Sequence, residues 1–125
     1  MSRLQRLVRA LPLAVALAPA FAADDPAGAG RKIFESRCVS CHENAPPSTA
    51  TLGPSLAGIV GRKAGTGTTG VHSRALAESG IVWNRSSLRS YLSDPGRAVP
   101  GTIMPLRVEN TKELEDLLNY LETLR

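Results

Sequence analysis

The residues Cys38-Val39-Ser40-Cys41-His42 carry the clearest chemistry in this sequence. The spacing Cys-x-x-Cys-His is the pattern that attaches a c-type haem covalently. Two thiols one helical turn apart can add to the two vinyl groups of one haem edge, and the side chain that follows can then reach the iron. We therefore expect Cys38 and Cys41 to bind one haem c and His42 to be an axial ligand of its iron.

A Cys-x-x-Cys pair also occurs as a thioredoxin-like redox pair, as half of a zinc site and as a plain disulfide. A zinc site needs two further ligands at short spacing, and the only other histidine is His72. A thioredoxin motif lies in a βαβ pattern, whereas this stretch is flanked by helical and loop-like sequence. These features favour haem attachment. A redox pair, half of a zinc site and a plain disulfide are the alternative roles of the two cysteines.

The second axial ligand decides whether the iron transfers electrons or binds a small molecule. Met104 is the only methionine after the first residue, and it lies in the Pro- and Gly-rich stretch 99–106. A loop stiffened by Pro100 and Pro105 can hold one thioether at a fixed distance from a metal. We expect Met104 to ligate the iron. A methionine that only fills a gap in the core, or ligation by His72, is the alternative.

The first 22 residues are typical of a cleavable secretory signal. A basic segment with three arginines precedes the apolar stretch 11–20, and the small-x-small sequence 20–22 follows it. We expect cleavage after Ala22 or Ala23, which leaves 23–125 as a single domain in the periplasm with no transmembrane anchor. An uncleaved anchor is the weaker alternative, because the apolar stretch is shorter than the ~20 residues that span a bilayer and contains Pro12 and Pro19.

The net charge of +4 belongs largely to this N-terminal segment. Removal of its three arginines leaves 12 basic and 11 acidic side chains, a net charge near +1 that gives no support to nucleic-acid binding. The remaining chain of about 103 residues is small for a core built from side chains alone. A haem would supply much of that core, because the aromatic residues left are only Phe34, Trp83, Tyr91 and Tyr120.

The sequence pattern predicts a few helices joined by long loops, an all-α fold class. A first helix is expected to about Cys38, with Asp25 as its cap and Pro26 at its first position. Asn110 is expected to cap the last helix, in which leucines between 114 and 124 form one stripe. Shorter helices are expected at 73–78 and 86–93, the second ending before Pro95. The Pro- and Gly-rich segment 43–70 indicates loops and turns.

With these residues the chain resembles the class I c-type cytochromes, close to the branch of mitochondrial cytochrome c and bacterial cytochrome c2. The resemblance covers nearly all of the chain after the signal. It implies a cytochrome c fold in which short helices and loops enclose one covalent haem and the terminal helices cross, with Gly30 facing Tyr120. Besides Cys38 to His42, it rests on GRKIF at 30–34, GPSL at 53–56, GRK at 61–63, GIVW at 80–83, YL at 91–92, PGTIMP at 100–105 and NYL at 119–121.

The resemblance also implies five further cofactor-binding residues. Ordinary roles as core aromatics, solvated charges or turn residues are the alternatives for each of them. His72 lies near a position where relatives often carry a tyrosine that reaches a haem propionate, and there it could make the reduction potential depend on pH. The five are Pro54, whose carbonyl would accept the ring N–H of His42, Arg62 and Trp83 as propionate partners, Tyr91 near the Met104 sulfur, and Thr102 as a hydrogen-bonding residue under the haem.

The function that the resemblance implies is that of a soluble one-electron carrier which cycles between Fe(III) and Fe(II) and is not an enzyme. Its expected partners are redox proteins: a donor such as a cytochrome bc1-type complex or a dehydrogenase, and an acceptor such as a terminal oxidase or reductase. We expect a monomer whose docking is only moderately salt-sensitive, because lysines are few. A haem-based binder of peroxide or a gas, and a subunit fixed to one enzyme, are the alternatives.

Overall fold

The computed structural model of the chain describes residues 25–46, 52–67 and 69–125. Five helices lie within these ranges: α1 (Pro26–Arg37), α2 (Arg74–Glu78), α3 (Arg85–Ser93), α4 (Pro95–Ala98) and α5 (Thr111–Leu121). One isolated antiparallel bridge, between Lys63 and Val82, is the only β-pairing in the described part. The predicted all-α class is therefore confirmed, whereas the predicted signal and its cleavage after Ala22 or Ala23 lie outside the described residues.

Helices α1 and α5 cross at a point where only a glycine fits. A Cβ atom at Gly30 would overlap the backbone carbonyl of Asp116 and would lie 2.6 Å from the Cβ atom of Tyr120. Beside this point the ring of Phe34, fully buried, packs against the Tyr120 ring with a centroid separation of 5.6 Å. The expected contact between Gly30 and the Tyr120 region is confirmed, and it fixes the end of α1 from which the Cys-x-x-Cys-His motif continues.

The two long helices begin largely as their sequences predict. Pro26 occupies the first turn of α1 and Asp25 is the N-cap residue, as predicted, although the Asp25 side chain accepts no capping hydrogen bond. At α5 the Asn110 side chain accepts a hydrogen bond from the Glu113 backbone N–H at 3.0 Å. The predicted stripe of this helix faces inward, with Leu114, Leu117, Leu118 and Leu121 buried and Leu124, beyond the helix end, half-buried.

Pro95 ends one helix and opens another. Helix α3 begins one residue earlier than predicted and ends before Pro95. Pro95 is then the first residue of α4, which the sequence analysis did not predict, and the Asp94 side chain caps α4 by accepting from the Arg97 backbone N–H at 3.1 Å. Proline suits a first helical turn because its missing N–H would have no partner there. Within the described ranges, no helix combines the length and the apolar character that crossing a membrane requires.

Ion pairs join α3 to α5 on the surface. The Glu115 carboxylate accepts from the guanidinium groups of Arg89 and Arg85 at 2.7 Å each, and Arg85 also donates to Glu122 at 2.7 Å. These contacts, with Arg89 the larger cause, lower the pKa of Glu115 from 4.5 to about 2. Because the folded-state pKa is depressed, the contribution to stability is present above pH 4.5 and is lost as the pH falls towards 2.

The glycine at the helix crossing is testable by substitution. We expect Gly30→Ala to lower the free energy of unfolding by about 1–3 kcal/mol, because the new methyl group meets the rigid backbone of α5. The matched control is Gly28→Ala on the same helix, whose methyl group meets only the movable carboxylate of Asp25. That variant should keep its stability or gain up to ~1 kcal/mol from helix propensity. Urea unfolding measures both variants, and equal stability of the two would contradict the close crossing.

Candidate functional site

A cavity of about 500 Å³ opens between α1, α3, α5 and the loops on either side of α2. Its volume lies within the roughly 300–1,000 Å³ of typical cofactor sites, and most of its lining is apolar. The structure brings every site residue expected from the sequence into the lining of this cavity, although they come from positions 38 to 104 of the chain. They are Cys38, Cys41, His42, Pro54, Arg62, Trp83, Tyr91, Thr102 and Met104, and His72 joins them.

The two cysteines lie on turns that continue from the end of α1. The Cys38 backbone N–H donates to the Phe34 carbonyl at 2.8 Å, and the His42 N–H donates to the Cys38 carbonyl at 2.9 Å. No disulfide joins Cys38 to Cys41, and burial raises the pKa of Cys38. No group of three or more His, Cys, Asp or Glu side chains is placed to hold a metal ion in the described ranges.

The His42 ring is oriented by a backbone carbonyl. Its Nδ1 atom lies 2.7 Å from the Pro54 oxygen. Because a carbonyl only accepts, Nδ1 carries the hydrogen and Nε2 keeps its lone pair. Burial lowers the pKa of His42, although the hydrogen bond to Pro54 opposes this shift. A neutral imidazole with one fixed tautomer is the form in which histidine binds a metal.

Two glycines that the sequence analysis left without a role allow this arrangement. A Cβ atom at Gly53 would lie 2.8 Å from Nδ1 of His42, and one at Gly70 would overlap the Gly53 backbone. The Gly53 N–H also donates to the Cys41 carbonyl at 2.8 Å, which ties this loop to the cysteine motif. The position of Gly53 directly before Pro54, in a loop expected to contact His42, is the sequence signal for such a close approach.

Met104 lies half-buried in an irregular segment that is anchored at both ends. The Thr102 N–H donates to the Val99 carbonyl at 3.0 Å, and the Val108 N–H donates to the Leu92 carbonyl at 2.8 Å. The first hydrogen bond closes a turn directly after α4, and the second joins the end of the segment to α3. The backbone that holds the Met104 thioether in the cavity lining is therefore fixed on both sides.

The hydroxyl group of Tyr91 pairs with that of Thr102, with 2.6 Å between the oxygens. The Tyr91 ring packs against Trp83 with a centroid separation of 5.2 Å, and both rings are buried. Burial raises the pKa of Tyr91, partly opposed by the Thr102 contact, so the phenol stays protonated at neutral pH. The resemblance implies that Tyr91 lies near the sulfur of Met104, and in the structure its hydrogen-bond partner is Thr102.

Arg62 is a half-buried cation whose partners are all backbone carbonyls. Its guanidinium group donates to the Ser55 oxygen at 2.6 Å and to the Ala57 oxygen at 3.2 Å. Burial lowers its pKa. Among the described residues neither Arg62 nor the cavity lining has a carboxylate that could serve as its counter-ion. An anionic group bound in the cavity would supply that charge.

The comparisons with known proteins agree with this geometry. The family model of cytochrome c matches residues 27–125. Cytochrome c 2.1 of Caenorhabditis briggsae is 40% identical over 105 residues, which cover 80% of this chain and 92% of that protein. Cytochrome c2 of Blastochloris viridis is 36% identical over 111 residues, which cover 88% and 85%.

The solved structures include a close fold match. Cytochrome cH from Methylobacterium extorquens has a TM-score of 0.70 and 38% sequence identity, with 78% of this chain and 97% of that chain covered. The predicted cytochrome c fold is thereby confirmed. The extent of these matches, with Cys38 and Cys41 in one apolar cavity, shows that the chain belongs to the cytochrome c family, whose cofactor is one covalently bound haem c.

Proposed function

We propose that the chain is a mono-haem electron carrier in which Cys38 and Cys41 hold the haem and His42 and Met104 are the axial ligands. The observation that best supports this proposal is that these four side chains line one apolar cavity. When bound, the haem supplies the one-electron chemistry, its iron alternating between Fe(III) and Fe(II). The chain's own residues bind it, orient it and exclude water.

His42 suits a ligand because its ring is fixed before any metal is bound. The Pro54 carbonyl selects the tautomer that leaves Nε2 free, and a hydrogen bond to the distal ring nitrogen makes the ligating nitrogen more basic. Gly53 lets the loop approach the face of the ring. A ligand held this way changes its position little when the charge on the metal changes, which favours fast electron transfer.

Met104 suits the second position because its loop leaves it little freedom. Pro100 and Pro105 restrict the backbone on either side, and the Thr102–Val99 hydrogen bond closes the preceding turn. A thioether ligand raises the reduction potential of a haem iron. A firmly held sixth ligand also favours an electron carrier over a protein that binds peroxide or gases. Because electron transfer transforms no substrate, we propose no enzymatic activity for the chain.

The polar residues in the cavity suit the carboxylates of a haem. Arg62 offers a cation without a counter-ion among the described residues, and the indole N–H of Trp83 is a donor in the same lining. Buried Phe34, Leu88 and Leu117 make much of the remaining wall apolar. An apolar lining with a few fixed hydrogen-bond donors excludes water, so the charge on the iron can change without large rearrangement of solvent.

We propose that partner redox proteins approach the rim of the cavity. Leu52, Val71 and Ile103 line the cavity, yet their side chains are 69%, 57% and 60% exposed. Ion pairs with basic side chains neutralise Glu113, Glu115 and several other acidic groups of the C-terminal segment. We therefore expect partner proteins to dock on this rim through mainly apolar contacts, with a binding affinity that depends only moderately on salt concentration.

The cellular setting that we propose follows from the N-terminal sequence and the family. The mature protein would begin at residue 23 or 24, form a single domain and act as a monomer in the periplasm. Its donor would be a cytochrome bc1-type complex or a dehydrogenase, and its acceptor a terminal oxidase or reductase. The two bacterial relatives, a cytochrome c2 and a cytochrome cH, support a place among bacterial electron carriers.

The role of Arg62 is testable by removal of its guanidinium group. We expect Arg62→Met to lower the free energy of unfolding of the haem-loaded protein by about 1–3 kcal/mol, because two carbonyls lose their donor. It should also lower the reduction potential, because a positive charge near the haem is lost. The matched control Lys63→Met removes the same charge from an exposed neighbour and should change stability by no more than ~0.5 kcal/mol. Equal effects of the two variants on stability and potential would contradict this role.

Axial ligation is testable by the absorption spectrum of the protein matured in a host with haem-attachment machinery. The oxidised wild type should show the far-red charge-transfer band of a methionine–iron bond. Met104→Ala should lose this band, whereas the neighbouring control Ile103→Ala should keep it, because Ile103 is largely exposed. A high-spin wild-type spectrum, or a band that persists in Met104→Ala, would overturn the proposed ligation and favour the ligand-binding alternative.

A further inference from the structure

Ser55 is a buried polar residue behind the cavity wall. Its neighbours Pro54 and Leu56 line the cavity, whereas Ser55, which is 4% exposed, does not. Its hydroxyl group donates to the Ala45 carbonyl oxygen at 2.5 Å and accepts from the Ala57 backbone N–H at 3.2 Å. A buried hydroxyl group that has both an acceptor and a donor as partners holds its residue in one orientation.

The carbonyl group that orients the His42 ring belongs to the same peptide unit as Ser55. A peptide unit is planar, so the Pro54 oxygen turns together with the N–H and the Cα atom of Ser55. On one side of this unit the ring of Pro54 restricts its own φ angle. On the other side Ser55 is held by its hydroxyl group and by Arg62, which donates to the Ser55 carbonyl oxygen at 2.6 Å. The anchors of Ser55 therefore set the direction of the Pro54 carbonyl group.

The segment that accepts the Ser55 hydrogen bond is itself fixed to the helix crossing. Asn44, the neighbour of Ala45, donates from its side-chain amide to the Tyr120 hydroxyl oxygen at 2.7 Å. Tyr120 is buried, and its ring packs against Phe34. The hydrogen bond between Ser55 and Ala45 thus connects the loop on the cavity wall to helices α1 and α5.

Two backbone hydrogen bonds join the same pair of segments. The Gly53 N–H donates to the Cys41 carbonyl oxygen, and the Leu56 N–H donates to the Glu43 carbonyl oxygen, both at 2.8 Å. They flank the hydrogen bond of the His42 ring. Backbone groups remain in every side-chain variant, so removal of a hydroxyl group here loosens the loop without detaching it from the cysteine motif.

We propose that Ser55 is a positioning residue for the iron ligand His42: its hydroxyl group directs the Pro54 carbonyl group towards Nδ1 of His42 and thereby lowers the reduction potential. The inference rests on His42 binding the haem iron, as proposed above. A firm hydrogen bond at Nδ1 makes Nε2 a more basic ligand. A more basic ligand stabilises Fe(III) more than Fe(II), so the reduction potential falls.

Ser55→Ala is the variant that tests this role, and Ser73→Ala is its matched control. Ser73 is the other buried serine of the described part, and its hydroxyl oxygen accepts from the Leu76 N–H at 3.1 Å. This hydrogen bond lies within the first turn of α2 and does not involve the Pro54 loop. Each variant therefore loses the hydroxyl group of a buried serine, and we expect both to unfold at a lower urea concentration than the wild type.

Potentiometry and nuclear magnetic resonance of the haem-loaded proteins separate the two variants. Ser55→Ala should have a higher reduction potential than the wild type. In the reduced protein its His42 Nδ1–H should exchange with water about fivefold faster, the change expected when one hydrogen bond of ordinary strength is lost. Ser73→Ala should match the wild type in both measurements.

The sign of the shift in potential distinguishes this role from an effect through Arg62. A loosened Arg62 would leave less positive charge near the haem and would lower the potential, whereas a weakened His42 ligand raises it. An unchanged or lower potential in Ser55→Ala, an equal rise in Ser73→Ala, or a His42 Nδ1–H that exchanges rapidly in the wild type would overturn the proposal. The absorption spectrum of the wild type reports the axial ligation separately, so failure of the proposed function is distinguishable from failure here.

Discussion

The burial of apolar surface around the cavity is the interaction on which the rest of the structure depends. Helices α1, α3 and α5 each turn apolar side chains towards this space of about 500 Å³, among them Phe34, Leu88 and Leu117. Removal of such surface from water is the dominant favourable term in folding. With haem c as the cofactor, this burial is shared between side chains and the prosthetic group, which explains how a small chain with long loops holds one defined shape.

Close backbone contacts then convert this core into a site. The crossing at Gly30 places the end of α1, and the cysteine motif continues from it in hydrogen-bonded turns. The loop of Gly53 and Pro54 approaches the motif closely enough to orient the His42 ring. Because each contact constrains the next, the residues of the proposed haem site are fixed by the fold itself, and rapid electron transfer requires such rigid surroundings.

Much of this arrangement could be predicted from local sequence, because it depends on residue type and spacing alone. The Cys-x-x-Cys-His motif and the leucine stripe of α5 are of this kind. Helix α4 was missed because Pro95 stops a helix and also suits the start of one. The pairing of Tyr91 with Thr102 depends on how distant segments meet, so it could not be derived from spacing. The contact of Gly53 with His42 had a sequence signal only in the expectation that the neighbouring Pro54 contacts His42.

If the haem is part of the hydrophobic core, the chain without its haem should not unfold cooperatively. The double variant Cys38→Ala/Cys41→Ala, which cannot attach haem, would be compared with the haem-loaded protein by urea unfolding followed by near-ultraviolet circular dichroism at Trp83. We expect a cooperative transition in the haem-loaded protein and none in the double variant. A cooperative transition of equal midpoint in both proteins would show that the haem is not part of the core.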